Sequence, residues 1–168
     1  MVHPALTVIR DKVADRVAEI SGPRPWWPCA EGCDTCCRRL AEEPRFTSAE
    51  WSELRAALDR LSADVRTALD ARVRALAASP TGDLVVCPLL NETRGTCRVY
   101  DARPVACRTY AFYVSRAADL RCSKVESALA EHEPDARVVW GNQAAVDRRL
   151  ESEFGPARPL TDWWATTR

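Results

Sequence analysis

The sequence predicts a single small domain, mainly α-helical with short irregular β segments. Three observations lead there. Apolar residues recur every three or four positions over residues 5–20 and 47–78, the period of a helix with one buried face. Residue pairs with helix-start spacing, Thr47 with Glu50 and Ser123 with Glu126, punctuate the chain. Residues 83–122, by contrast, show brief apolar runs broken by turn residues, and hold four of the chain's eight cysteines.

The first helix is expected over residues 5–20. Leu6, Ile9, Val13, Val17 and Ile20 form its apolar face, and Gly22, Pro23 and Pro25 stop it. A cysteine segment, residues 29–37, follows Trp26, Trp27 and Pro28. Thr47 and Glu50 then have the spacing of a capping box, and Phe46 and Trp51 that of a hydrophobic staple. Leu54, Leu58 and Leu61 continue the stripe. Ser62 recaps a third helix carrying Val65, Leu69, Val73 and Leu76, ended by Pro80 and Gly82. Residues 84–86 and 98–100 read as short strands around a turn from Asn91 to Gly95, with Pro104 ending the second and aiming Cys107. Arg103 is expected to contact a carbonyl, a carboxylate or a sulfur. Ser123 and Glu126 start a helix that ends before Pro134, and a last helix covers about residues 142–153. The tail, residues 155–168, carries Leu160, Trp163 and Trp164, too much apolar surface to leave in water, so it is expected to dock.

Composition excludes several functions. A chain of 168 residues buries roughly 70% of its unfolded surface, so it needs no covalent staples. Formal net charge is zero, without the basic field of a nucleic-acid binder. With six glycines and no glycine-rich loop after a strand, a nucleotide-binding fold is not expected. Residues 1–20 lack an apolar leader core, and no apolar run approaches the ~20 residues that span a bilayer. A cytoplasmic protein is expected, with no membrane and no nucleic acid among its partners. In that compartment thiols stay reduced, so clustered cysteines read as metal ligands or redox groups.

The cysteines form two groups. In the first, Cys29, Cys33, Cys36 and Cys37, the Cys33–Cys36 pair is a C-x-x-C, whose tight turn points two thiolates at one ion, about 2.3 Å from each sulfur for zinc. Cys37 directly follows Cys36. Neighbouring side chains on irregular backbone are expected to diverge and to serve different metal atoms. A disulfide between adjacent residues would be strained. The second group, Cys87, Cys97, Cys107 and Cys122, is widely spaced and supplies no second knuckle of the zinc-ribbon kind. Ligands arriving singly from several loops are compatible with an iron–sulfur cluster. Arginines flank four cysteines (Arg38, Arg98, Arg108 and Arg121), where guanidinium groups can offset thiolate charge. The two histidines, His3 and His132, are expected at the surface rather than in the site.

The run Cys33-Asp-Thr-Cys36-Cys37-Arg38, then Cys87-Pro88-Leu89-Leu90, then Cys97-Arg98-Val99-Tyr100 through Arg103-Pro104 to Cys107-Arg108, resembles the YkgJ-like cysteine-cluster family. That family carries a CxxCxxCC motif followed by C-P-x-L and C-x-x-Y-x-x-R-P-x-x-C-R. The resemblance spans about residues 29–122 and departs at one point: three residues separate Cys29 from Cys33 where the motif has two. It implies chelation of zinc or iron and little else.

The expectation is therefore a metal-binding core over about residues 29–122, with flanking helices and a docked tail, organised around a cysteine-bound metal site. The candidate ligands are Cys29, Cys33, Cys36, Cys37, Cys87, Cys97, Cys107 and Cys122, at least six of them in one compact region. Eight thiols exceed what one tetrahedral zinc needs, so an iron–sulfur cluster with a redox or enzyme-accessory role is expected. The alternatives are a zinc-binding structural or interaction module, and a metal-dependent enzyme that modifies a protein or peptide. A protein or peptide is the expected partner, and the sequence does not specify the oligomeric state.

Overall fold

A computed structural model describes residues 3–79, 84–115, 122–135 and 137–166. In chain order the elements are α1 (Pro4–Ser21), α2 (Thr35–Arg38), β1 (Arg45–Phe46), α3 (Ser48–Leu58) and α4 (Ala63–Ala77). Then come β2 (Leu90–Asn91), β3 (Thr96–Cys97), a 3-10 turn (Tyr100–Ala102), α5 (Val105–Thr109), β4 (Tyr113–Val114) and α6 (Ser123–His132). The last are β5 (Gly141–Asn142), α7 (Gln143–Phe154), β6 (Arg158–Pro159) and α8 (Leu160–Ala165). The fold is mainly helical, and among the described residues the strands form three two-residue pairs. These are β1 with β6 and β2 with β3, both antiparallel, and β4 with β5, parallel.

The long helices form where the apolar period placed them. Leu6, Ile9, Val13 and Ile20 are the buried face of α1. The capping box of α3 is formed, and Phe46 meets Trp51 edge-on with ring centroids 6.3 Å apart, as a staple requires. Ser62 stands at the N-cap of α4. Pro80 and Gly82, expected to end that helix, lie outside the described residues.

Two apolar clusters make the core. The first joins Phe46, Trp51, Leu54, Leu69, Val73, Leu90 and Leu160, with Cys87 among them and Cys37 and Cys97 packed against it. The second joins Leu6, Ile9, Val13, Trp27, Val105, Phe112, Val125 and Leu150, with Cys122 among them and Cys29 alongside. The tail docks into the first. Arg158 and Pro159 pair with Phe46 and Arg45, Leu160 is fully buried, and Trp163 Nε1 donates to the Phe46 carbonyl at 2.8 Å. Trp164 Nε1 donates to Asp70 Oδ1 at 2.9 Å, tying α8 to α4.

Four local expectations are corrected. Residues 84–86 form no strand: Val85 makes a single antiparallel bridge to Leu40, and the hairpin begins at Leu90, beyond Pro88, which has no amide proton to extend a ladder. The second strand is Thr96–Cys97 rather than residues 98–100, because Tyr100–Ala102 coils into a 3-10 turn. Pro104 therefore ends no strand and instead caps α5. The N-cap of α6 is Cys122, with Ser123 already inside the helix, so the expected Ser123 cap does not form.

Candidate metal centre

Backbone hydrogen bonds bring the cysteine segments together. Gly32, at φ +94°, turns the chain ahead of Cys33, whose amide donates to the Ala30 carbonyl at 3.0 Å. The single turn of α2 then carries Cys36 and Cys37. Leu40 and Val85 exchange both backbone hydrogen bonds, at 2.9 and 2.8 Å, and the Cys87 amide donates to the Cys37 carbonyl at 2.7 Å. These bonds lay the two halves of the motif side by side. The β2–β3 hairpin is closed by Gly95 at φ +66°, whose amide donates to the Asn91 carbonyl at 2.8 Å. A Cβ at Gly95 would stand 3.3 Å from Asp34 Oδ2 and 3.4 Å from the Gly32 carbonyl oxygen, so the hairpin turn rests directly on the first cysteine turn. Arg38 clamps that contact, donating from Nε to Asp34 Oδ2 at 2.6 Å and from Nη2 to the Glu92 carbonyl at 2.8 Å.

Helix α5, which carries Cys107, is held from below by a buried carboxylate. Glu50, 2% exposed, accepts from the Thr47 amide at 2.8 Å and the Thr47 hydroxyl at 2.7 Å with Oε2. Its Oε1 accepts from the Val105 amide, the first of α5, at 2.7 Å. One side chain thus caps two helices, as suits negative charge at helix N-termini. The sequence signalled only the first of these bonds.

Neighbouring thiols act on one another's ionisation in pairs. Cys29 feels the charges of Cys33, Cys36 and Cys122; Cys87 feels Cys97 and Cys36; Cys107 feels Cys87, Cys36 and Cys97. Cys36 occurs in each of these groups and shares a sulfur contact of 4.0 Å with Cys37. Burial, and then the neighbouring thiols, push Cys29 up from 9.0 to about 12. Burial likewise lifts Cys87 to about 12. Cys36 is raised chiefly by its hydrogen bond with Cys37, and Cys97 and Cys107 by burial. Tyr110 belongs to the same surroundings: burial and then the charges of Cys122, Cys36 and Cys29 raise its hydroxyl, and its carbonyl lies 4.0 Å from Cys29 Sγ.

The arginines beside these thiols differ from those expected. Arg38 is committed to Asp34 and the hairpin, and Arg108 donates to the carbonyls of Arg103 and Asp101. Arg121 lies outside the described residues. Among the described residues, the cations that act on the thiols are Arg103, which favours ionisation of Cys29, Cys97 and Cys107, and Arg72, which favours that of Cys87. Arg103 has the expected carbonyl partner. Its Nε donates to the Tyr100 carbonyl at 3.0 Å, and its guanidinium lies 3.4 Å above the Tyr100 ring centre, a cation–π seat. Arg72 reaches from α4 to the carbonyls of Leu90 and Cys87 at 2.8 and 3.1 Å, and no sequence signal marked it. Replacing Arg103 with glutamine is expected to weaken metal retention about 10–100-fold in chelator competition, the range for lost outer-shell partners, with Arg103→Lys in between. Unchanged retention in both variants would remove Arg103 from the site.

The donor chemistry fits a thiophilic metal. Thiolates are the ligands that zinc and iron–sulfur sites use, and a bound cation offsets the cost of ionising buried thiols. Among the described residues no three cysteine, histidine or carboxylate side chains form a ready-made ligand set, so ligation requires the sulfurs to turn inward from these positions. One expectation fails here. Cys36 and Cys37 do not diverge, because the helical turn of α2 holds their sulfurs in contact. The histidines stay outside: His3 caps α1, and exposed His132 stacks on Trp26 with ring centroids 4.9 Å apart.

A helical scaffold that carries eight cysteines and lays the Cys37 and Cys87 segments side by side has the make-up of a cysteine-cluster domain. The family model CxxCxxCC, described as "Putative zinc- or iron-chelating domain", matches residues 28–133, and the chain belongs to that family. No curated protein and no solved structure matches the chain. Among the described residues, no helix is long and apolar enough to cross a membrane.

Proposed function

We propose that this protein carries an iron–sulfur cluster and serves as a redox or enzyme-accessory protein for a protein or peptide partner. The carrying observation is the side-by-side placement of the two cysteine segments. Leu40 and Val85 exchange both backbone bonds, the Cys87 amide donates to the Cys37 carbonyl at 2.7 Å, and the sulfurs of Cys36 and Cys37 stand 4.0 Å apart. A cluster accepts ligands from separate loops and needs four cysteines, which the eight of this chain exceed. Buried Trp27, stacked on Phe112 at 5.6 Å, supplies apolar cover on the Cys29 side. When bound, the cluster would supply one-electron transfer. The chain's own residues would hold it, shield it and set its charge through Arg103 and Arg72.

Zinc is the second reading, favoured by one distance. Two sulfurs bound tetrahedrally at about 2.3 Å from one zinc stand roughly 3.8 Å apart. Cys36 and Cys37 are already 4.0 Å apart, close to that spacing. Anaerobic purification separates the readings. A brown protein with visible absorption, iron and acid-labile sulfide is expected. Colourless protein with stoichiometric zinc and no sulfide would replace the first reading with the second.

A further inference from the structure

Nine residues connect Cys97 of β3 to Cys107 of α5, and the shape of that connection decides how the two thiols face each other. Fully extended, such a stretch reaches roughly 30 Å, so the spacing in sequence sets no distance by itself. The turn inside it, Tyr100–Ala102, is one turn of 3-10 helix, too short to keep its shape unaided. Its backbone supplies two bonds: the Ala102 amide donates to the Val99 carbonyl at 2.9 Å, and the Arg103 amide to the Tyr100 carbonyl at 3.3 Å. Beyond the turn, Glu50 fixes the start of α5 by accepting from the Val105 amide.

Two arginine side chains add the rest. Arg103 folds back over its own turn, with Nε on the Tyr100 carbonyl at 3.0 Å and its guanidinium over the Tyr100 ring. Arg108 enters from α5, directly after Cys107. Its Nε donates to the Arg103 carbonyl at 3.2 Å, and its Nη2 to the Asp101 carbonyl. Three carbonyls of residues 100–103 therefore accept from two guanidinium groups. The Arg103 bond stays within the turn, whereas the Arg108 bonds tie the turn to the helix that carries Cys107.

Attraction to a carboxylate does not explain where Arg108 stands. Among the described residues it forms no ion pair, and its side-chain hydrogen bonds go to those two carbonyls. Burial, and then the charges of Arg10 and Arg103, lower its pKa, against the opposing pull of Asp101 and Glu53. A half-buried guanidinium among other guanidiniums is held by the carbonyls it binds. Its planar fork of N–H donors suits two acceptors at once, which the single ammonium of lysine does not reproduce. We propose that Arg108 is a positioning residue of the metal centre that acts through Arg103: it ties residues 100–103 to α5 and so sets where the Arg103 guanidinium stands relative to Cys107. This deepens the metal-centre reading and rests on it.

The test compares metal retention in chelator competition for the purified, metal-containing protein and four variants: Arg108→Lys, Arg108→Gln, Arg103→Gln and the double variant Arg103→Gln with Arg108→Lys. Arg108→Lys is expected to lose about tenfold, close to Arg108→Gln, because lysine keeps the charge and the long stem without the fork. The double variant is expected within about twofold of Arg103→Gln alone, since two residues that act as one unit are not additive. Full retention by Arg108→Lys would make charge sufficient and overturn the proposal. A further loss of about tenfold in the double variant would overturn the route through Arg103. Hydrogen exchange supplies a readout apart from retention. On samples matched for metal content, the Ala102 and Arg103 amides should exchange faster in both Arg108 variants, while those of α4 and α7 keep the wild-type rate. Unchanged exchange at both amides would overturn the tie between the turn and α5. Wild-type protein purified with neither iron nor zinc would overturn the metal reading instead, and the same exchange comparison on the metal-free proteins would then decide the tie by itself.

Discussion

Replacing Glu50 with alanine is expected to destabilise the protein by about 3–5 kcal/mol, the range for breaking a buried hydrogen-bond network. Three donors converge on that carboxylate: the Thr47 amide, the Thr47 hydroxyl and the Val105 amide. Alanine leaves all three in a place that water does not reach, and each orphaned group loses roughly 1–3 kcal/mol, less when the losses share one cavity. Glu50→Gln is expected to cost less. Its amide oxygen can still accept from Val105, and its NH₂ can donate to the Thr47 hydroxyl, but the Thr47 amide then faces a donor. Urea unfolding of the three proteins checks the order. The consequence for function is separate and larger than the stability change suggests. The Val105 bond fixes the start of α5, two residues before Cys107, so the alanine variant should also hold less metal when purified under conditions where it remains folded. A loss below about 1 kcal/mol, with metal content unchanged, would mean that α5 is positioned by packing alone.

The helices and the docked tail were legible in the sequence because each announces itself locally. The stripe of α1, the capping box of α3 and the aromatic weight of the tail are periodic or compositional signals, and burial rewards them directly. The cysteine site was legible only as a set of candidates. The elements around it are two-residue strands and single helical turns, whose limits are decided by long-range bonds such as Cys87 to Cys37 and Leu40 to Val85. Such bonds leave no period in the chain. Arg72 shows the same limit from the other side. It looks like any solvent-facing residue of α4, yet its guanidinium holds the carbonyls of Cys87 and Leu90. Conversely, the arginines adjacent to cysteines drew attention by sequence proximity, and backbone direction turned Arg38 and Arg108 to other partners. The contact of Cys36 with Cys37 has a related cause: the helical turn at Thr35–Arg38 is too short to leave a periodic signal.

Removing the metal is expected to loosen the cysteine segments while most of the helical signal survives. The argument follows from where the apolar contacts lie. Helices α1, α3, α4, α7 and α8 contain no cysteine, yet they hold most of the helical residues and half of the largest fully buried side chains. They pack through Leu6, Ile9, Val13, Leu54, Leu69, Val73, Leu150 and Leu160, none of which depends on a ligand. Apart from their cysteines, residues 84–109 share in the clusters only through Leu89, Leu90, Val99, Ala102 and Val105, and residues 29–40 bury no side chain fully. Their strands are two residues long and their helices one turn or little more, far below the length at which either is stable alone. Beyond those few side chains, what holds them is a handful of backbone bonds, the Glu50 cap on α5, Arg38, Arg72 and the thiols. Without a metal, the thiols that burial has lifted toward 12, Cys29 and Cys87, stay protonated at neutral pH and contribute only weak hydrogen bonds. Hydrogen exchange after chelation should therefore accelerate at residues 29–40 and 84–109 and around Cys122, while α1, α3 and α4 remain protected. Far-UV circular dichroism should fall only in part. Complete loss of the helical signal on chelation would mean that the metal, rather than the two apolar clusters, organises the whole chain.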